Sequence, residues 1–356
     1  MKKTGLYNKM LKRMVPFLPF CFFIFSLFTF HFLLVSCGPS GNSFRIEGRL
    51  RHMNQGEFLV YSPDGGINGI DTIKVREGRF AYETMLRDKA TFVIIFPNFS
   101  ELAVFGEPGK KAEIKGDASH MKEMTVKGLD DNEEMTKIRM VINRLTPPEI
   151  PKAVEAFIKE HRSSLASIYL LKRYFIADPQ SDYRKATMLT KMLLEQQAEN
   201  GQLIELDKQL KALQGISLKQ LPKFSAKDVK GRQVSESDLK AKINVVTAWA
   251  SWNYQSTDMQ RRLKEKKKKY GDKLGVVSIC LDASPVDCKR TVVERDSLKW
   301  STVCDGRMWQ SPLLSKFGFY DIPANIIADN KGRILERNLT PQKLDEKLEK
   351  LLKDDN

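Results

Sequence analysis

The side chains of this chain best suited to covalent chemistry are its five cysteines, Cys21, Cys37, Cys280, Cys288 and Cys304. A thiolate attacks disulfides and ligates soft metals, whereas a buried neutral thiol behaves as a small hydrophobe. Hydroxyl nucleophiles have less support, because every histidine lies before residue 162 and Ser256 has none nearby to activate it. His52 and His120 are isolated in the sequence and read as surface or turn residues. The second chemical signal is Val245-Val246-Thr247-Ala248-Trp249-Ala250-Ser251-Trp252-Asn253-Tyr254-Gln255-Ser256. A β-branched apolar run ends in two tryptophans around a small pair, and a polar helix start follows. Asn253 is a strong N-cap, and the free N–H groups at such a helix start favour negative charge.

Three regions must position these residues. Residues 44–129 show short alternating runs (44–48, 57–61, 71–75, 79–82, 91–96, 102–105, 112–115 and 124–126) punctuated by Glu77-Gly78, Pro108-Gly109 and Gly116-Asp117. That spacing predicts an antiparallel β-sandwich. From 130 to 216 the apolar period becomes helical, with one long helical stretch from Ala186 to Leu213 and a stop at Asp178-Pro179, giving a helical spacer. Residues 217–356 alternate buried-strand and helix patterns: strands at 243–248, 276–280, 302–305 and 325–328, and helices after Asn253, over 286–298 and over 341–353. Strand–helix–strand units require a parallel crossover and hence an α/β sheet.

The stretch 245–256 resembles the strand–turn–helix of TlpA/ResA-like, AhpC/TSA-type thioredoxin-fold proteins, in which Trp-Ala-Ser-Trp-Cys-x-x-Cys carries the redox dithiol. The resemblance extends from residue 218 to the end of the chain, and the β-rich region before it resembles a domain of unknown function that precedes such modules in envelope lipoproteins. The resemblance implies a thioredoxin-like fold, a thiolate at the helix start with its pKa lowered from about 8.5 toward roughly 3.5–7.5, and a cis-proline at Pro323 after Ile322. This chain departs from it where the chemistry lies. Asn253 and Ser256 occupy the dithiol positions, and Met259 stands where relatives carry a proton-handling acid. The frame of an oxidoreductase is kept and its reacting atoms are absent.

Cys280 and Cys288 and Cys304 are the remaining thiols near the strand ends where ligands bind in parallel sheets. Counting back from Asp282 and Asp305 puts Cys280 and Cys304 on opposite strand phases, which disfavours a direct bond. Trp249, Trp252, Tyr254, Gln255, Ile322 and Pro323 are candidates for the wall of a cleft that binds extended peptide in active relatives. No cofactor and no metal site are expected.

The formal net charge is +15. Five of the positive charges precede residue 37, in a basic start followed by an apolar core, so the remainder carries about +10. Nothing interleaves aromatic and basic residues as a nucleic-acid surface does, so no nucleic-acid partner is expected. The basic run 260–269 reads as a solvated helix end. Residues 1–36 read as a signal peptide, and Leu34-Val35-Ser36-Cys37 resembles a bacterial lipobox with Cys37 as the lipidated residue before a linker at 37–43. The expected setting is therefore the cell envelope, facing the periplasm, with the membrane reached through Cys37 and an envelope protein or peptide as partner. The expected function is non-catalytic binding or scaffolding. The alternative is a thiol–disulfide oxidoreductase or peroxiredoxin-like reductase working through Cys280, Cys288 or Cys304.

Overall fold

The computed structural model describes residues 41–177, 183–215, 219–295 and 297–353. The expected signal peptide, Cys37 and the Asp178-Pro179 helix stop lie outside the described residues. Among those residues no helix is long and apolar enough to cross a membrane.

The N-terminal domain is built from eight strands, β1 (Ser43–Arg51), β2 (Gln55–Tyr61), β3 (Ile70–Arg76), β4 (Arg79–Met85), β5 (Ala90–Ile95), β6 (Glu101–Gly106), β7 (Lys111–Asp117) and β8 (Thr125–Lys127). They connect in the order β6-β5-β2-β3-β4-β1-β7-β8. The β3–β4 junction holds only through the pair Arg76 and Arg79, so the sheet folds there into two four-stranded layers. Phe44 of β1 stacks on Phe92 of β5 at 5.3 Å, and Phe58 of β2 meets Phe80 of β4 edge-on at 5.5 Å. Alternation supplies these inward residues, as a two-layer domain requires. One pairing departs from the expected antiparallel pattern: β1 and β7 run parallel.

Five helices follow: α1 (Asp130–Ile142), α2 (Ile150–Glu160), α3 (Leu165–Phe175), α4 (Tyr183–Gln196) and α5 (Gly201–Gly215). Their buried residues recur at helical spacing, as in Val154, Phe157 and Ile158 of α2. The long helical stretch expected from Ala186 to Leu213 is two helices. Asn200 breaks it, accepting the N–H groups of Gln202 and Leu203 through its side chain and so restarting the helix as a cap. The buried Asn132 of α1 exchanges two 2.8 Å hydrogen bonds with the backbone of Phe105 and ties this unit to β6.

The last domain opens with a hairpin, β9 (Ser225–Lys227) and β10 (Gln233–Ser235). Next come β11 (Ile243–Trp249), α6 (Tyr254–Tyr270), β12 (Leu274–Cys280), α7 (Pro285–Lys289), β13 (Ser301–Val303), α8 (Pro312–Phe317), β14 (Ala324–Asp329), β15 (Ile334–Arg337) and α9 (Pro341–Lys353). The five-stranded sheet has the order β13-β12-β11-β14-β15, parallel across β13, β12 and β11 and antiparallel beyond. Every residue of β11 is buried, which is why its sequence is a continuous rather than alternating apolar run. The helix expected over 286–298 is short, passing after Lys289 into wider π-type turns over Arg290–Arg295.

The basic end of α6 is largely paired. Lys266 reaches Glu349 at 2.7 Å and Asp345 at 3.3 Å on α9, and Lys269 reaches Glu349 at 2.6 Å. Lys266, Lys269 and Lys353 together hold the Glu349 carboxyl below its ordinary value of 4.5. A lowered carboxylate pKa contributes stability above the unfolded value and loses it as pH falls through the folded one. Glu349→Gln is therefore expected to lower the melting temperature slightly at neutral pH. The difference from the unaltered chain shrinks as pH drops below about 4.5 or as salt is added, read by circular dichroism melts.

Candidate functional site

β11 delivers its last side chain, Trp249, into the apolar layer under α6 and α9, where it is 1% exposed beside Met259, Leu344 and Leu348. Trp249 is therefore a core residue and not part of the cleft wall, contrary to the expectation from sequence. The chain then turns. Leu281 N–H donates to Trp249 O at 2.8 Å, and Ser251 N–H donates to Asp282 Oδ1 at 2.9 Å, which pins the turn to the end of β12. Asn253 caps α6, its Oδ1 accepting the Ser256 N–H at 2.8 Å. The N–H group that a thiolate would draw on is thus already satisfied by a neutral amide. Ser256 is fully buried, and its Oγ has no hydrogen-bond partner among the described residues. Met259 places its Sδ 3.3 Å from Thr247 Oγ1 and 3.9 Å from Asn325 Nδ2. No acid stands in that position to move a proton. The Ile322–Pro323 bond is cis, as the resemblance implies.

The face of this turn is covered by the N-terminal domain. Tyr61 at the end of β2 packs on Trp252 with ring centres 5.1 Å apart, and Phe99 meets Tyr254 at 5.9 Å. Trp252 is left 8% exposed, and Tyr61, Val93 and Ile95 share one core with Val246, Ala248 and Ile322. A groove of about 660 Å³ remains, bounded by Phe99, Arg139, Arg173, Asn253, Tyr254 and Gln255. Pro323 and Gln255 also border a smaller recess of about 160 Å³.

Next to it a cavity of about 500 Å³ has walls from all three domains, among them Tyr61, Glu101, Tyr169, Trp309 and Tyr320. Arg173 of α3 pairs with Asp321 at 3.1 Å across it. Burial pushes the Asp321 carboxyl up, opposed by Arg173 and by the Ile322 N–H that donates to it at 2.9 Å. Burial also pushes Glu101 up, again opposed by Arg173. A polar chain closes the far side: Lys172 Nζ donates to Gln202 at 3.2 Å, and Gln202 donates to Asp64 at 2.9 Å. Asp64 in turn accepts the Thr91 N–H at 2.9 Å. Burial holds the Lys172 ammonium below its usual value. Tyr61, Phe99, Glu101, Arg173 and Asp321 were not singled out from the sequence. The one local signal was the position of Asp321 immediately before Ile322-Pro323.

The three remaining thiols converge. Cys280, Cys288 and Cys304 are free and buried, and their sulfurs all lie within 4.8 Å of one another. The opposite-phase expectation for Cys280 and Cys304 is corrected by register. Ile279 pairs with Val303 in a parallel ladder, so the next residues, Cys280 and Cys304, stand level and on the same face. Burial first, and then the neighbouring thiols, push the Cys280 thiol up. Cys304 is instead held well below the ordinary range, because the Cys280 and Cys288 thiols donate to its sulfur, against the effect of burial. In its neutral form Cys304 donates to Asp282 O at 3.3 Å. No metal-ligand cluster was expected, yet the described residues hold one set of three potential sulfur donors.

A five-stranded mixed sheet, a helix launched from its central strand and a cis-proline facing that helix start define a thioredoxin-like module. Residues 218–337 match the AhpC/TSA family, and residues 44–135 match a domain of unknown function, DUF4369. The chain thus carries an AhpC/TSA-family domain at residues 218–337, preceded by a DUF4369 domain. It is similar to the C-terminal domain of a protein described as a thiol-disulfide oxidoreductase from Bacteroides thetaiotaomicron, at 33% identity over 38% of this chain and 95% of that one, with a TM-score of 0.34. A thiol-disulfide oxidoreductase from Bacteroides fragilis NCTC 9343 is similar at 28% identity over 38% of this chain and 100% of that one, TM-score 0.34. A comparison with curated proteins gives no match.

Tyr61→Ala is expected to destabilise the protein by about 3 kcal/mol, as loss of a buried aromatic ring does. It is also expected to raise amide hydrogen exchange in residues 251–256, read by mass spectrometry. Destabilisation without faster exchange in that turn would show that Tyr61 does not cover it.

Proposed function

We propose that this is a non-catalytic binding protein of the cell envelope, in which a thioredoxin-like module has exchanged its redox dithiol for a wall of an interdomain binding site. The observation that carries the reading is the state of the helix start. Asn253 and Ser256 replace both sulfurs, Asn253 satisfies the Ser256 N–H, and Tyr61 seals Trp252 against a substrate disulfide. The surface left for a ligand is the groove beside Tyr254 and Gln255 together with the cavity crossed by Arg173 and Asp321. Aromatic walls with a few fixed charges suit an extended peptide or a similar envelope component. The lipobox-like Leu34-Val35-Ser36-Cys37 supports a membrane tether on the periplasmic side.

The competing reading, disulfide exchange through Cys280, Cys288 or Cys304, draws on the convergence of these sulfurs. Against it stands their burial, at 2%, 0% and 8% exposure, since exchange needs a partner sulfur to reach the attacking thiolate. An insulin-reduction assay separates the two. The full chain is expected to show no turnover beyond that of its Cys280→Ser/Cys288→Ser/Cys304→Ser variant, and cysteine-dependent turnover would defeat the binding reading.

Two further outcomes are expected. Asn253→Cys/Ser256→Cys restores an oxidisable pair at the helix start, so its mass falls by two hydrogens under mild oxidant. The lost N-cap costs about 1 kcal/mol in a denaturant melt. Cys37→Ser abolishes incorporation of labelled palmitate and releases the protein from the membrane fraction, and retention of the label would refute the anchor.

A further inference from the structure

We propose that Cys280, Cys288 and Cys304 form a binding site for a single copper(I) ion. The three cysteines C-terminal to residue 37 come from three separate elements, and all meet at one point. Cys280 ends β12, Cys288 lies in α7, and Cys304 follows β13. With every sulfur pair within 4.8 Å, some point lies within about 2.8 Å of all three. A thiolate–metal bond of about 2.3 Å is reached by moving each sulfur by about 0.5 Å, less than a change of rotamer.

The surroundings select the ion. Trp249, Val292, Leu298 and Trp300 belong to the same apolar layer, so the site is dry and soft. Thiolates are soft ligands of the kind that select copper(I). Zinc in a structural site takes four ligands, and beyond the three sulfurs the cluster meets the backbone oxygen of Asp282, 3.3 Å from the Cys304 sulfur, and the Asp282 carboxylate beside the Cys280 thiol. That carboxylate also accepts the Ser251 N–H and does not belong to the set of donors that lie within 4.8 Å of one another. Three mutually close sulfurs match the trigonal arrangement that copper(I) accepts.

The backbone is shaped around the Cys304 sulfur. Gly306 adopts φ +73°, directs its N–H at that sulfur, and would bring a Cβ to 3.0 Å from Ala283 O. An N–H donor to a ligating sulfur is the outer-shell contact that orients metal thiolates. A disulfide is the poorer use of this cluster: it consumes two sulfurs, leaves the third without a role, and gives a partner no approach. Copper(I) is a single small ion that would enter by ligand exchange at Cys304, the least buried of the three at 8% exposure, with each coordinating thiol giving up its proton to water. This inference is independent of the proposed peptide-binding role.

The test is a copper(I) titration of the full chain carrying Cys21→Ser/Cys37→Ser, reduced and metal-free under nitrogen, against the chromophoric chelator bathocuproine disulfonate. One copper per chain is expected to leave the chelator, with a near-ultraviolet thiolate-to-copper absorption. Cys280→Ser, Cys288→Ser and Cys304→Ser are each expected to weaken retention by at least about 100-fold. Native mass spectrometry of the unaltered chain, expected to carry one copper at this cluster, reads the site even where a serine variant fails to fold. Overturning results are no copper retained against the chelator, equal retention in the variant lacking all three cysteines, or a disulfide between two of them in the protein as isolated.

Discussion

The contact between Tyr61 and Trp252 is the joint on which the arrangement of this molecule depends. A thioredoxin-like module normally leaves the turn after its central strand open, because that is where a partner's sulfur must approach. Here an aromatic ring from β2 lies 5.1 Å from the indole, and one apolar cluster joins Tyr61, Val93 and Ile95 of β2 and β5 to the core of the C-terminal sheet. Burying two aromatic rings against each other contributes roughly 0.5–1.5 kcal/mol beyond the area they hide. It also forces β5, α3 and the segment before Pro323 to meet around the same spot. The Arg173–Asp321 pair and the two adjoining cavities follow from that seating.

The chemistry of the helix start and its cover are consistent with each other. A thiolate at the N-terminus of α6 would be stabilised by free N–H groups and used by an incoming disulfide. Asn253 removes the charge yet keeps the hydrogen bond, and Met259 replaces a proton-moving acid with a thioether between Thr247 and Asn325. With a neutral cap and a thioether at these positions, the turn is packed dry. Ser256 is a buried hydroxyl without a hydrogen-bond partner among the described residues.

Much of the fold was legible in the residues. The alternation in residues 44–129 gave strands close to those observed, and the unbroken apolar run of β11 marked a strand covered on both faces. Local patterns failed where long-range pairing decides the outcome. The phase of Cys304 was counted from Asp305, but it is set by the pairing of Ile279 with Val303, which no single stretch encodes. Trp249 stood among the cleft-wall candidates, yet its place in the strand puts it in the apolar layer under α6 and α9. The covering residues Tyr61 and Phe99 carry no motif at all. An aromatic residue at a strand end or on a loop reads as ordinary core until a second domain is placed against it.

The cavity walled by Tyr61, Tyr169 and Tyr320 has a thermodynamic consequence. Its lining comes from the sandwich, the helices and the sheet, so no one domain can form it alone. Any occupant that binds only the assembled cavity raises the free energy needed to pull the three apart. Occupancy is thereby linked to how cooperatively the whole chain unfolds, and the ligand becomes a mortar between domains. Force applied across the three domains would then report, in the resistance to being pulled open, whether that space is filled.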